Sequence, residues 1–141
     1  MSKRLYELFL FDILIAILKI ENVVARFDKP EKLKYDFVAW DSVIREFEII
    51  GEATKILINM KILDEDNRKI VNFRNVLIHD YFGIDSEEVW NIATVNIKSF
   101  KKAILEKINK IDKDLKIEIV EELIEENKHH DFIVKILKDI S

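Results

Sequence analysis

The stretch FVAWDSVIREFEIIGEATKIL, from Phe37 to Leu57, decides the fold of this chain. Its apolar side chains recur at steps of three and four residues, which is the spacing of one face of an α-helix. They are Phe37, Trp40, Ile44, Phe47, Ile50 and Leu57. Gly51 lies within the same stretch, at a cost of about 1 kcal/mol relative to Ala. We therefore predict one long helix from about Glu31 to Met60, which another helix approaches closely at Gly51.

The composition of the whole chain favours helices throughout. Its 141 residues are 49% hydrophobic and 35% charged, with two glycines and one proline. A chain of many short strands would need many turns, and turns need more of these two residue types. A chain of this length suits one domain with a core of its own. We therefore predict an all-α domain with long helices and short links.

One more helix is predicted before the central one and one after it. The first runs from Leu5 to Phe27 and is ended by Pro30 and the charges around it. The third begins near LDEDN, where Asp64 or Asp66 can cap it. The end of the first helix is therefore predicted from a proline that breaks helices, and the start of the third from an aspartate that can cap a helix.

The third predicted helix ends at about Tyr81 or Phe82, where Gly83 is placed to adopt the left-handed conformation that follows many helices. The fourth begins at Asp85, which together with Glu88 has the spacing of a capping box. Its inner side is predicted to be Trp90, Ile97, Phe100 and Ile104.

Together these segments predict an antiparallel up-down four-helix bundle over residues 1–110. Residues 111–141 are predicted to extend the same domain by one or two helices, with a weak stop near Asn127. This extension holds nine acidic and five basic residues, which accounts for the whole net charge of −4. We interpret its glutamates as a solvated helix face, although an acidic tail can also mimic nucleic acid.

The sequence also argues against several kinds of site and location. Without cysteine there is no disulfide or thiolate metal site, and the Glu-x-x-His pairs of a di-metal bundle are missing. We therefore predict neither a metal nor a cofactor.

The most apolar stretch, Leu8 to Ile20, contains Asp12 and Lys19, and it is shorter than the roughly 20 residues of a membrane span. No signal peptide is apparent, so we expect a soluble cytoplasmic protein with no membrane contact.

A second stretch, FRNVLIHDYFGID from Phe73 to Asp85, holds the residue types of a reactive site. The guanidinium of Arg74 presents a planar fork that pairs with phosphate oxygens. The imidazole of His79 can give or take a proton at neutral pH. Together they suit metal-independent cleavage of RNA, in which a base takes the proton of the ribose 2′-OH and that oxygen attacks the adjacent phosphate. The structural interpretation is a capping or structural histidine at the helix end and an arginine in an ion pair with a nearby aspartate.

The spacing of these two residues limits how they can act together. On a regular helix, at about 100° per residue, His79 lies about 140° around the axis from Arg74. One helix therefore does not clamp one small ligand between them. Either the helix end deforms near Gly83, or two subunits face each other across a twofold axis, which is the commonest oligomer symmetry.

Three segments of the sequence resemble a known family. RNVLIHDY, with Arg74, Asn75, His79 and Tyr81, looks like the motif of the HEPN superfamily and its HepT-like toxin branch. VIREFEIIGEATKIL, from residue 43 to 57, resembles the second helix of that branch, and DYFGIDSEEVWNI extends the likeness through Trp90. The resemblance covers about residues 1–110.

The resemblance implies a fold, an activity and partners. HEPN proteins are helical bundles that form homodimers, and in HepT-like toxins two protomers build a composite, metal-independent endoribonuclease site from Arg74 and His79. Such a toxin belongs to a type VII toxin–antitoxin pair, whose MntA-like nucleotidyltransferase antitoxin transfers AMP to the tyrosine that corresponds to Tyr81. The other class of function open to this family is a non-catalytic substrate-binding or partner subunit of a minimal nucleotidyltransferase.

Other residues are predicted to support this site. Asn75 is expected to hold the phosphate or the histidine. Arg45, Glu48 and Glu52 lie at helical spacing around Gly51, where they either line the cleft and orient Arg74 or His79, or form surface ion pairs.

Overall fold

The computed structural model describes residues 4–80 and 83–140, and all regular structure within them is helical. The α-helices are α1 (Tyr6–Val24), α2 (Pro30–Tyr35), α3 (Phe37–Asn59), α4 (Arg68–His79), α5 (Ser86–Asn91), α6 (Ile97–Asn109), α7 (Lys113–Glu126) and α8 (Asp131–Ile140). A 3-10 turn over Glu65–Asn67 precedes α4, and the π-helical segment Ile92–Asn96 joins α5 to α6. The predicted all-α class is confirmed.

The two longest helices, α1 and α3, hold the bundle together. Helix α3 packs against both α1 and α4, and α1 also packs against α6 and α8. Phe9, near the start of α1, shares a groove with Ile56, near the end of α3. Lys19, near the end of α1, lies close enough for its charge to act on the Glu46 carboxyl in the first half of α3. The two helices therefore run antiparallel, as expected for an up-down bundle.

The core is built mainly from α1 and the inner face of α3. Phe11 and Phe47 are the largest of its fully buried side chains, and full burial of an apolar side chain contributes roughly 1.5–3 kcal/mol. Of the predicted apolar face of α3, all residues are buried except Phe37, which is 72% exposed at the first position of the helix. Helix α1 contains the apolar run identified above, but no helix in the described ranges is long and apolar enough to cross a bilayer.

The prediction of one unbroken helix from Glu31 to Met60 is wrong at Asp36. The backbone there is extended, with ψ at 93°, and the Asp36 carboxylate accepts a hydrogen bond of 3.1 Å from the Ala39 N–H. An aspartate in this position satisfies an N–H that no helical carbonyl reaches, so it begins a new helix. The chain therefore forms α2 and α3 where a single helix was expected.

The boundary between the first two helices also differs from the prediction. Helix α1 ends at Val24 instead of Phe27. Pro30 does more than stop a helix, because it is itself the first residue of α2. That position suits proline, since its missing N–H would have no partner in the first turn.

The contact at the start of α4 differs from the one predicted. Neither Asp64 nor Asp66 provides a side-chain cap for α4, and Asn67 precedes the helix without capping it. Instead, the Arg68 guanidinium donates to both carboxylate oxygens of Glu65, at 3.0 and 3.1 Å. This ion pair joins the 3-10 turn to the first residue of α4.

The end of α4 also corrects the prediction. The helix stops at His79 with Asp80 as its cap, while Tyr81 and Phe82 lie outside the described residues. Gly83 does not adopt the left-handed conformation, since no described glycine has a positive φ. A Cβ there would lie 2.7–2.9 Å from atoms of the Asp80 carboxylate, which is the far end of an exposed side chain that can move aside.

The fourth helix follows the prediction more closely. The Asp85 carboxylate accepts a hydrogen bond of 2.9 Å from the Glu87 N–H and so caps α5. Ile97 and Ile104 are buried, as expected of the inner side. The two aromatic residues predicted there, Trp90 and Phe100, are partly buried and pack against the core.

The C-terminal extension forms two helices, α7 and α8, and its first helix ends at the predicted stop, Asn127. Ile133 and Leu137 of α8 are fully buried, and α8 packs against α7 and α1. The glutamates predicted as a solvated face are exposed on α7: Glu118, Glu121, Glu122, Glu125 and Glu126. The extension therefore adds to the core of the bundle, whereas its boundary at residue 110 stays a prediction.

Candidate functional site

The residues of the arginine–histidine motif lie on α4. Arg74 is partly buried against α3, with 23% of its side chain exposed, whereas Asn75 and His79 are exposed. The Nη1 group of Arg74 donates a hydrogen bond of 3.1 Å to Oδ1 of Asn75. Asn75 therefore helps to hold the guanidinium. Tyr81 lies outside the described residues.

Gly51 makes room for Arg74. A Cβ built on residue 51 would lie 2.3 Å from Cβ of Arg74 and 2.5 Å from its Cγ. Two carbon atoms cannot approach so closely, so α3 meets the stem of Arg74 only because residue 51 has no side chain. This confirms the close approach predicted at Gly51 and identifies Arg74 on α4 as the group that approaches.

The guanidinium of Arg74 is also paired with a carboxylate of α3. Nη2 of Arg74 lies 2.9 Å from Oε2 of Glu52, and Nε is buried with no hydrogen-bond partner among the described residues. An arginine has five N–H groups. Nη1 donates to Asn75 and Nη2 is ion-paired with Glu52, so the planar guanidinium retains further N–H groups that can donate to phosphate oxygens.

Arg74 opens onto a groove of about 300 Å³ between α1, α3 and α4. Two predicted supporting residues, Arg45 and Glu48, line this groove and form an ion pair of 3.6 Å with each other. Glu52 lines it as well. These two side chains therefore line the groove and are also ion-paired, whereas their role in orienting Arg74 or His79 stays a prediction.

Helix α1 supplies part of the groove that the sequence did not indicate. Phe9 and Asp12 line it opposite α3. The Arg4 guanidinium donates to both carboxylate oxygens of Asp12 and lies 4.8 Å from the centre of the Phe9 ring. The one available signal was Asp12 itself, an acidic residue inside the most apolar stretch of the chain.

His79 is exposed in the last turn of α4. It is not among the residues that line the groove with Arg74. Exposed apolar side chains sit close to it in sequence, with Val76 48% and Ile78 41% exposed. A single chain therefore presents its arginine and its histidine on different sides of α4, as the spacing of about 140° requires.

The charged residues of the chain do not form a metal-binding cluster within the described ranges. No group of three or more His, Asp or Glu side chains there could hold a metal ion. The two other histidines, His129 and His130, are exposed in the turn between α7 and α8.

The carboxyl of Glu46, next to Arg45 on α3, should make the stability of the fold depend on pH. Burial raises the pKa of the Glu46 carboxyl, and the charges of Lys19 and Arg45 oppose part of that rise. A carboxyl whose pKa is raised by folding stabilises the fold fully below its unfolded pKa, and this stabilisation is lost as the pH rises through the folded pKa.

Replacing Glu46 with Gln should therefore stabilise the protein at pH 7, by less than about 1 kcal/mol because water still screens this half-buried group. The gain should disappear below about pH 4, where the native carboxyl is protonated. Urea unfolding at pH 7 and below about pH 4 measures the change in the free energy of unfolding, and the exposed Glu118→Gln variant is the control. A loss of stability at pH 7 would mean that attraction to Lys19 and Arg45 outweighs the cost of burial.

Comparison with known proteins assigns the chain to a family. A family model described as Ribonuclease HepT-like matches residues 13–111, up to the start of the extension. Putative RNase MJ1380 of Methanocaldococcus jannaschii is 35% identical over 107 residues, which cover 74% of this chain and 97% of that protein. Putative RNase MJ0125 of the same organism is 36% identical over 118 residues, covering 82% and 97%.

Probable ribonuclease HepT of Thermococcus cleftensis is 41% identical over 63 residues, which cover 43% of this chain and 57% of that protein. No solved structure matches the chain. The match of the family model over most of the bundle, together with relatives covered almost end to end, shows that this chain belongs to the family of HepT-like ribonucleases.

Proposed function

We propose that this chain is a metal-independent endoribonuclease, acting as the toxin of a type VII toxin–antitoxin pair. The observation that carries the proposal is the setting of Arg74, which Gly51, Glu52 and Asn75 hold at the wall of an open groove. The remaining N–H groups of its planar guanidinium can donate to the oxygens of one RNA phosphate. Membership of a ribonuclease family supports the same activity.

The proposed reaction needs one proton acceptor, one proton donor and one positive charge. A base removes the proton of the ribose 2′-OH, and that oxygen attacks the adjacent phosphorus. The bond from phosphorus to the 5′-oxygen then breaks, and this oxygen takes up a proton from an acid. The products are a 2′,3′-cyclic phosphate and a 5′-hydroxyl end. His79 serves as the acid or base, and Arg74 stabilises the charge on the phosphorane.

The proposed site is completed by a second copy of the chain. Arg74 and His79 lie on different sides of α4, so neither chain alone grips one ribose–phosphate link. The exposed Val76 and Ile78 next to His79 are apolar surface that a twofold-related copy would cover. Across such an axis, the histidine of one chain can reach the phosphate held by the arginine of the other.

Cleavage of RNA in the presence of EDTA tests this activity. The purified chain should cut RNA and leave 2′,3′-cyclic phosphate ends, whereas an oligonucleotide with deoxyribose throughout should stay intact because it lacks the nucleophile. Cleavage of both oligonucleotides would overturn the mechanism. If the chain cuts neither but binds a nucleotidyltransferase and ATP, the non-catalytic partner role replaces this proposal.

The proposal also includes regulation through Tyr81. The cognate MntA-like nucleotidyltransferase would transfer AMP from ATP, as the Tyr81 oxygen attacks the α-phosphorus and pyrophosphate leaves. Tyr81 follows His79 by two residues. AMP there would bring bulk and negative charge to the place where the RNA phosphate binds, and repulsion would keep RNA out.

Intact mass measures this modification directly. After co-expression with the transferase, the chain should gain the mass of one or more adenylyl groups, and the Tyr81→Phe variant should gain none. Tyr35→Phe is the matched control, because Tyr35 is 82% exposed but lies at the end of α2. Modification that persists in Tyr81→Phe would place the acceptor elsewhere.

A further inference from the structure

The groove beside Arg74 is lined by both apolar and charged side chains. Phe9, Ile49, Ala53 and Ile56 give it apolar walls, and charged side chains stand among them. Its volume of about 300 Å³ lies at the lower end of the range for small-molecule sites, about 300–1,000 Å³. In such sites, apolar side chains cover much of a bound ligand and placed polar groups fix its orientation.

The three carboxylates in this groove differ in how fully they are engaged. Asp12 accepts from both terminal nitrogens of Arg4, and Glu52 is 2.9 Å from Arg74. The nearest approach of Arg45 to Glu48 is 3.6 Å, which is beyond the length of a hydrogen bond. Arg45 is also 69% exposed, whereas Glu48 is 32% exposed. Glu48 is therefore the carboxylate with the most free capacity to accept hydrogen bonds from a ligand.

We propose that this groove is the base subsite of the enzyme and that it selects guanine through Glu48. The inference rests on the proposed function, since the base belongs to the nucleotide whose phosphate Arg74 holds. An ionised carboxylate only accepts hydrogen bonds. The Watson–Crick edge of guanine presents two neighbouring donors, N1–H and N2–H, which match the two oxygens of one carboxylate.

The other three bases fit this acceptor less well. Adenine and cytosine each place a ring-nitrogen acceptor beside their amino donor, and uracil flanks its N3–H with two carbonyl oxygens. Each of these acceptors would face a carboxylate oxygen and repel it. Reading of base edges in unpaired RNA, with the ring held between apolar or aromatic side chains, is a general mode of sequence-specific recognition.

Titration of the purified chain with GMP, AMP, CMP and UMP tests the subsite without any cleavage. Calorimetry should give GMP at least about tenfold tighter binding than the others, which is the discrimination typical of one bidentate contact. In the Glu48→Gln variant this preference should be lost, because the amide offers one acceptor and one donor. The exposed Glu121→Gln on α7 is the matched control and should keep it.

The NMR signals of the Ile49 and Ile56 methyl groups locate the binding, and they should shift when GMP is added. Equal binding of all four nucleotides, or binding that leaves both methyl groups unmoved, would overturn the subsite. Binding that weakens as rising protein concentration drives dimer formation would also overturn it, since the groove would then be an interface between copies.

The two proposals fail in different experiments. A chain that binds GMP in the groove but never cuts RNA keeps the subsite and loses the nuclease. A chain that cuts RNA but shows no preference for guanine in binding, and no excess of cuts beside guanine in mapped products, keeps the nuclease and loses the subsite.

Discussion

Replacing His79 with Ala should lower the rate of RNA cleavage at least about a hundredfold and leave the thermal unfolding of the chain unchanged. A positioned general acid or base contributes about 10²–10⁴-fold to such a reaction. His79 is exposed in the last turn of α4, so its removal takes little packing from the fold. Cleavage of end-labelled RNA in EDTA, together with thermal unfolding, measures both effects.

The matched control for this variant is His129→Ala. His129 is exposed in the turn that follows α7, and we expect its variant to cut RNA at the parental rate. Arg74→Lys adds a second comparison. It keeps the positive charge but lacks the planar fork, so it should also lose most of the activity. Parental activity in His79→Ala would remove this histidine from the mechanism.

Mixing two inactive variants tests whether the site is shared between chains. One chain carries Arg74→Ala and keeps its histidine, and the other carries His79→Ala and keeps its arginine. In a mixed dimer one intact Arg74 can meet one intact His79 across the twofold axis, so the mixture should recover part of the activity. A mixture as inactive as its components would require both groups to act within one chain.

Replacing Gly51 with Ala should destabilise the protein by about 1–3 kcal/mol, the usual cost of forcing an extra methyl group into a packed contact. The new Cβ would lie 2.3 Å from Cβ of Arg74, so α3 and α4 must move apart. Alanine is the better helix former by about 1 kcal/mol, but overpacking outweighs that gain. RNA cleavage should fall as well, because Arg74 moves with α4. Urea unfolding measures the stability.

The control for Gly51→Ala is Lys55→Ala, one turn later on the same helix and exposed to solvent. It should change stability by no more than about 0.5 kcal/mol. A double-mutant cycle with Arg74→Gly isolates the contact itself. If the clash is the cause, Gly51→Ala should cost much less when residue 74 has no side chain. An equal cost in both backgrounds would assign the loss to some other contact of Gly51.

The helices of this protein were largely predictable because the signals that start, stop and pattern them are local. The three- and four-residue steps of α3 identified its buried face, Asp85 began α5, and Asn127 ended α7. Local reasoning was wrong where two local signals competed. At Asp36 a capping carboxylate prevailed over a continuous helical pattern. At Gly83 the predicted left-handed conformation does not form.

The sequence also identified Arg74, Asn75 and His79 as one motif and placed a close helix contact at Gly51. Which groups meet there was decided by the tertiary structure alone. The pairing of Glu52 with Arg74, and the groove that Phe9 and Asp12 complete, join residues far apart in the chain. The physical reason is that helical periodicity assigns a side chain to a face of its own helix. Which neighbouring helix covers that face, and at what height, depends on how all the helices pack together.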